Sequence, residues 1–118
     1  MLLIVDDNGE ACNAIIRLFR HAGHDARWVA SGSAALSFLT QSHPDAILLD
    51  VMMPGMDGLE VLRRIRAEPR FADIPVIIYS GGMGHEDEAR RLGAADVVIK
   101  ARASWDDLYA RVQSHLKH

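Results

Sequence analysis

Five short apolar runs, each followed by a stretch with helical periodicity, constrain the fold of this chain more than any other feature. Such alternation predicts repeated βα units and therefore an α/β protein with a parallel sheet. A chain of 118 residues has the usual size of one domain and can bury one core. We therefore predict a single doubly wound domain over residues 1–118. Its five strands are predicted at residues 2–5, 26–30, 46–49, 76–79 and 97–99.

The helices between these strands are bounded by residues that commonly start or stop helices. Ser31 or Ser33 can cap the second helix with a side-chain oxygen. His43-Pro44 is expected to end it, because the residue before a proline disfavours helical backbone. The other four helices are predicted at residues 9–22, from residue 58, at residues 86–92 and from residue 104.

Composition and charge exclude several classes of protein. With 49% hydrophobic and 25% charged residues, the chain is neither disordered nor membrane-spanning by composition. Its amino terminus does not read as a secretion signal, so we predict a cytoplasmic protein. A net charge of −3 argues against a dedicated nucleic-acid binder, which would carry a basic face. The one cysteine, Cys12, is predicted to be a buried thiol without a role.

Polar residues follow the predicted strands where a parallel sheet binds its ligands. Asp6 and Asp7 come after the first strand, Asp50 after the third, Ser80 after the fourth and Lys100 after the fifth. Each alone is explained by an ordinary turn or cap, but complementary groups at four strand ends favour a site. Close carboxylates repel unless a proton or metal is present. An all-oxygen cluster of this kind suits Mg²⁺ and phosphate.

Four motifs in this order resemble the receiver domain of two-component response regulators, and the resemblance covers the whole chain. They are V-D-D at 5–7, L-L-D-V-M-M-P-G-M-D-G-L-E at 48–60, P-V-I-I-Y-S-G at 75–81 and G-A-A-D-V-V-I-K at 93–100. The resemblance implies a flavodoxin-like fold with five parallel strands in the order 2-1-3-4-5 and five helices. It also implies a phosphoacceptor domain for signalling, and not a turnover enzyme.

The resemblance assigns a role to each residue of the acidic cluster. Asp50 would be the phosphoacceptor, since an aspartyl carboxylate is a recognised nucleophile for phosphoryl transfer. Asp7 and Asp50 would bind Mg²⁺ directly, Asp6 would bind it through water, and the main-chain carbonyl of Met52 would add a ligand. Mn²⁺ could substitute for Mg²⁺.

Three further residues would bind the phosphoryl group itself. By resemblance, the Ser80 hydroxyl donates to one phosphoryl oxygen, and the Lys100 ammonium meets another as a point charge. Gly81 leaves room for that approach. The expected donor is the phosphohistidine of a sensor histidine kinase or of a histidine phosphotransfer protein, and water later hydrolyses the acyl phosphate. The downstream partner is not named by the sequence, and neither nucleic acid nor membrane is expected to bind directly.

The chain departs from the family pattern at the output end of the switch formed by Ser80, Val97 and Ala101. Val97 replaces the usual tyrosine or phenylalanine, so there is no ring to reorient after phosphorylation. Either the signal leaves by movement of the backbone and loop near residues 80–85, or the domain acts as a relay or sink that needs little output change. Ala101 replaces the usual proline after the lysine, and a cis bond without proline costs about 2.5–4 kcal/mol. We therefore predict a trans Lys100–Ala101 bond, and ordering of the loop at residues 80–83 as the coupling step.

Partner surfaces are less well defined by the sequence. The resemblance implies a homodimer interface formed by the fourth helix, the fifth strand and the fifth helix. Trp105, at the start of the last helix, is predicted to pack on the domain rather than to form a docking surface.

Three alternative functions fit the sequence less well than the receiver function. The same fold could be an interaction module that works without phosphorylation, but the acceptor and the lysine argue against it. A Mg²⁺-dependent phosphohydrolase would need a second aspartate where Met52 stands. A flavin-binding protein would need a phosphate-cradling loop after the first strand, and Asp6-Asp7 has the wrong charge for one.

Overall fold

The computed structural model describes residues 1–82 and 84–116. Within those ranges, five strands and five helices alternate along the chain. The strands are β1 (Leu2–Val5), β2 (Ala26–Val29), β3 (Ala46–Leu49), β4 (Val76–Ser80) and β5 (Asp96–Ile99). The helices are α1 (Gly9–His21), α2 (Gly32–Leu39), α3 (Gly58–Ala67), α4 (Glu86–Arg91) and α5 (Trp105–Gln113). None of the helices in the described part of the chain is both long and apolar enough to span a membrane.

The strands form one parallel sheet in the order β2-β1-β3-β4-β5, which confirms the predicted doubly wound arrangement. The register places Val5 beside Leu49 and Ser80 beside Ile99. The residues that follow these strands therefore leave the sheet at the same edge. The chain turns to opposite sides of β1 to form β2 and β3, so this edge contains the topological switch point where such sheets bind ligands.

Both faces of the sheet are buried, which explains why β1 and β3 read as uninterrupted apolar runs. Because successive side chains of a strand point to opposite faces, Leu3 and Val5 join a core with α2 and α3, while Leu2 and Ile4 join a second core with α1 and α5. The predicted buried thiol is confirmed, since Cys12 is fully buried on α1. The strands that carry the polar edge are thus held by apolar packing on two sides.

Some element boundaries differ from those predicted. The α2 helix starts after Ser31, which accepts a hydrogen bond from the amide of Ala34, but it ends at Leu39, well before His43-Pro44. It ends early because the amides of residues 41 and 42 both donate to the Phe38 carbonyl and form a turn. Strand β4 extends one residue further than predicted, to Ser80.

Candidate functional site

Three carboxylates meet at the carboxyl edge of the sheet. The amide of Asp6 donates to the carbonyl of Val29 at 3.2 Å, and the amide of Asp50 donates to the carbonyl of Val5 at 2.9 Å. These main-chain bonds fix where each aspartate leaves its strand. One carboxylate oxygen from each of Asp6, Asp7 and Asp50 lies within 4.8 Å of the others. Asp6 and Asp50 are buried, whereas Asp7 is exposed.

Lys100 brings a positive charge into this cluster from the end of β5. Its Nζ donates to Asp6 Oδ2 at 3.3 Å and lies 3.8 Å from Asp50 Oδ2. The same ammonium lies 5.1 Å from the centre of the Tyr79 ring, within the range of a cation–π contact. The lysine is therefore held between two carboxylates and an aromatic face, and it offsets only part of their combined negative charge.

The ionisation of Asp50 is affected by its surroundings. Burial raises the pKa of Asp50 above its ordinary value, Lys100 lowers it in part, and the neighbouring Asp6 raises it again. Ionised Asp50 is thus destabilised by its surroundings and would be stabilised by further positive charge. Carboxylate oxygens are ligands of the kind that Mg²⁺ takes in proteins, together with water and phosphate oxygens. The residues present therefore fit a divalent cation.

Asp6 is additionally oriented by its own loop. The amide of Asn8 donates to Asp6 Oδ1 at 3.0 Å, and the Asn8 side chain in turn caps α1 by accepting from the amide of Ala11. With Lys100 on the other oxygen, both carboxylate oxygens of Asp6 accept hydrogen bonds from protein donors. Such a carboxylate has little freedom to turn toward a metal. This agrees with the water-mediated role that the resemblance implies for Asp6.

The predicted phosphoryl-binding residues lie at the same edge. Ser80 is buried, and its Oγ accepts from the amide of Gly82 at 3.3 Å. Its carbonyl accepts from the amide of Lys100 at 2.9 Å, which connects the ends of β4 and β5. A Cβ added at Gly81 would meet nothing within 4 Å, so the space beside this residue is open.

The loop after β3 packs closely against the start of α3. The amide of Met52 approaches Asp50 Oδ1 at 3.4 Å, and the Met52 side chain is 64% exposed. The amide of Gly58 donates to the carbonyl of Val51 at 3.0 Å. A Cβ at Gly58 would lie only 2.1 Å from the main-chain oxygen of Asp50. Glycine is therefore needed at position 58 to keep the Asp50 loop in place, a requirement that the sequence pattern alone did not indicate.

A groove of about 470 Å³ runs beside this loop. Its lining is mostly apolar and includes His85, which stands just before α4. His85 was not among the predicted site residues, because nothing in the sequence indicates that the β4–α4 connection returns to the β3–α3 loop. The lining residues are 51–55, Asp57, Leu59 and His85.

The other two output residues lie on β5 and shortly after it. Val97 is buried against the α2 and α3 core, and its carbonyl accepts from Arg111 at 3.4 Å. Ala101 is exposed. The predicted trans Lys100–Ala101 bond is confirmed, as there is no cis peptide in the described part of the chain. The predicted coupling loop includes Met83, which lies outside the described residues, so its ordering stays a prediction.

Trp105 does not pack as predicted. Its side chain is 50% exposed and lines an open groove with residues of α1, among them Leu18 and Arg17. It is the first residue of α5, whose cap is Ser104, and the buried residues of this helix are Leu108 and Val112. The prediction that Trp105 is a packed side chain was therefore wrong.

These features define a class of protein. A doubly wound parallel sheet that carries three carboxylates, a lysine and a buried hydroxyl at its carboxyl edge has the parts of a cation-assisted phosphate site. Comparison with known proteins makes the class specific. The family model described as response regulator receiver domain matches residues 2–113, and the chain belongs to this family. It is thus a receiver domain of the two-component response regulators.

Relatives of two kinds are found. The transcriptional regulatory protein BaeR of Escherichia coli O6:H1 is 33% identical over 98% of this chain and 48% of its own length. The chain thus spans about half the length of this curated relative. Two solved structures are receiver domains of histidine kinases. That from Syntrophus aciditrophicus is 30% identical, with a TM-score of 0.87, and 98% of this chain covers 88% of it. That of PA1611 from Pseudomonas aeruginosa PAO1, with magnesium coordinated in its active-site cleft, is 27% identical, with a TM-score of 0.84, over 96% and 93% of the two chains.

Proposed function

We propose that this domain, over residues 1–118, accepts a phosphoryl group on Asp50 from the phosphohistidine of a sensor kinase or a histidine phosphotransfer protein. The observation that carries the proposal is the position of Asp50. It is buried, it lies with Asp6 and Asp7 in one carboxylate cluster, and its Oδ2 is 3.8 Å from Lys100 Nζ. A nucleophile with this combination of acidic neighbours and one cation is suited to phosphoryl transfer.

The carboxylate cluster would hold Mg²⁺ or Mn²⁺. Asp7 and Asp50 would bind it directly, Asp6 through water, and Met52 through its main-chain carbonyl. When bound, the cation supplies the positive charge that lets anionic donor and acceptor oxygens approach each other. Three carboxylate oxygens that lie within 4.8 Å of one another can share one small cation.

The remaining residues act on the phosphoryl group. An Asp50 oxygen attacks phosphorus while the bond from phosphorus to the histidine nitrogen breaks, and that nitrogen keeps the electron pair. Lys100 then leaves its carboxylate partners far enough to pair with a phosphoryl oxygen, and the Ser80 hydroxyl donates to another. Attack by water on the acyl phosphate later releases inorganic phosphate and restores the Asp50 carboxylate. The domain therefore switches a downstream partner and is reset, without turning over a substrate of its own.

The test is the mass of the intact protein after incubation with acetyl phosphate and Mg²⁺. We expect an adduct of one phosphoryl group that hydroxylamine removes, as it removes acyl phosphates. The adduct should be absent when Mg²⁺ is chelated and in Asp50→Asn. Asp106→Asn is the matched control, because it removes one exposed carboxylate of α5 and should still be phosphorylated.

Two results would contradict the proposal. A folded wild-type protein that forms no adduct under any of these conditions would favour the interaction module that works without phosphorylation. An adduct that persists in Asp50→Asn would place the acceptor elsewhere in the chain.

A further inference from the structure

Trp28, on the edge strand β2, contacts the loop between β1 and α1 that contains Asp6 and Asp7, called here the acidic loop. Its indole Nε1 donates to the main-chain oxygen of Asp6 at 2.7 Å, a short and well-formed hydrogen bond. The six-membered part of its ring rests on the first residue of α1, since a Cβ at Gly9 would lie 3.1 Å from Trp28 Cη2. The side chain is 38% exposed, so it covers the loop from the solvent side instead of filling the core.

The oxygen that Trp28 binds belongs to the peptide group between Asp6 and Asp7. That group is planar, so a donor that fixes its oxygen also fixes the direction in which the chain enters Asp7. A second contact to this oxygen, from the Cys12 thiol at 3.9 Å, is a weak one. Asp7 is exposed, so its placement depends mainly on the main chain that carries it.

We propose that Trp28 is a positioning residue for the metal site, which holds the Asp6–Asp7 peptide so that the Asp7 carboxylate faces Asp50. The inference rests on the proposed function, because it takes the carboxylate cluster to be the Mg²⁺ site. Trp28 itself touches neither metal nor phosphoryl group. Its hydrogen bond acts through the peptide, as partners outside the ligand shell of a metal commonly do.

The proposal also predicts a spectroscopic signal. The chain has two tryptophans, Trp28 and Trp105. Trp28 is bonded to the acidic loop, whereas Trp105 lies in a groove formed with α1. Binding of Mg²⁺ should therefore alter the emission of Trp28 and leave that of Trp105 unchanged.

The experiment compares wild type, Trp28→Phe and Trp105→Phe in two titrations with Mg²⁺ alone, one by calorimetry and one by fluorescence. Trp28→Phe keeps an aromatic ring but loses the donor, and we expect its Mg²⁺ dissociation constant to rise roughly fivefold or more. Trp105→Phe should bind as wild type does, and its remaining tryptophan should respond to Mg²⁺. The remaining tryptophan of Trp28→Phe should not respond.

Each contrary outcome is distinct. Equal Mg²⁺ affinity in wild type and Trp28→Phe, with binding intact, would overturn the role of Trp28 and leave the proposed function standing. In Trp105→Phe the remaining tryptophan is Trp28, and emission that does not respond to Mg²⁺ would also overturn the role of Trp28. This measurement replaces the comparison of affinities if Trp28→Phe fails to unfold cooperatively in a thermal melt. A wild-type protein that binds no Mg²⁺ would overturn both this inference and the metal-assisted part of the proposed function.

Discussion

Asp50 lies where burial and the charges of two neighbours act on one carboxyl group. Burial and the carboxylate of Asp6 both favour its protonated form, and Lys100 opposes them without cancelling them. A residue kept in this condition reduces the stability of the fold when it is ionised. The same condition makes it responsive to added positive charge, which the proposed cation would supply.

The stability consequence can be measured on Asp50→Asn without any metal. Because the native pKa of Asp50 is raised, the native state binds more protons than the unfolded state between the ordinary value of 3.8 and the raised one. Wild-type stability therefore falls as pH rises through that window, and the loss is complete above it. In chelator at neutral pH, Asp50→Asn should have a free energy of unfolding higher by about 1 kcal/mol. Urea unfolding at acidic and neutral pH measures the difference.

Asp106→Asn is again the control, since its carboxylate is exposed and it should track wild type at each pH. A wild-type protein as stable as Asp50→Asn at neutral pH would show that Lys100 compensates the buried charge fully.

Single residues also mark the limit of what the sequence could predict. Asp6, Asp7, Asp50 and Lys100 were predicted to lie together because each follows a strand, and the strand ends of a parallel sheet meet at one edge. Trp28 could not be placed in the same way. Its contact depends on how far the edge strand β2 overlaps the loop after β1, and no local pattern encodes that overlap.

Among the elements, α3 begins in close contact with the main chain of Asp50. Asp57 caps it by accepting from the amide of Glu60, and Gly58 begins it against the main chain of Asp50. The start of this helix and the loop that begins at Asp50 therefore form one packed unit. The sequence predicted the start of the helix but not this contact, because contacts between a loop and the helix that follows it depend on their relative orientation.

Gly58→Ala tests that unit. The added Cβ would lie 2.1 Å from the main-chain oxygen of Asp50, so either α3 or the loop that begins at Asp50 must move. Overpacking of this kind destabilises by about 1–3 kcal/mol, and we expect phosphorylation by acetyl phosphate to fall as well because Asp50 is displaced. Chemical denaturation and intact mass measure the two effects.

Gly82→Ala is the matched control for stability, because a Cβ at Gly82 would meet nothing within 4 Å. Its free energy of unfolding should stay close to that of wild type. If Gly58→Ala were as stable as Gly82→Ala, the approach of α3 to Asp50 would not be a fixed feature of the fold.

At the scale of the whole molecule, the apolar packing and the polar site occupy different parts of the sheet. Both faces of β1 and β3 are buried in apolar cores, while the acidic cluster, Ser80 and Lys100 stand at the sheet's edge. Repulsion among the carboxylates at that edge lowers the free energy of unfolding that the packed cores provide. A cation that binds the cluster should therefore stabilise the entire cooperative unit and not only the loops that touch it.

This linkage gives a prediction for the whole domain. Addition of Mg²⁺ should raise its free energy of unfolding in proportion to the logarithm of concentration, reaching about 2.7 kcal/mol at one hundred times the dissociation constant. Thermal unfolding measured across a Mg²⁺ series, with NaCl adjusted to constant ionic strength, separates site binding from general screening. Asp7→Asn should lose most of the Mg²⁺ response, because it removes a proposed direct ligand that is exposed and contributes little to the core. Asp106→Asn makes the same change in net charge and should keep the full response. A response that is equal in the two variants would mean that Mg²⁺ acts on the net charge of the protein and not at the Asp6, Asp7 and Asp50 cluster.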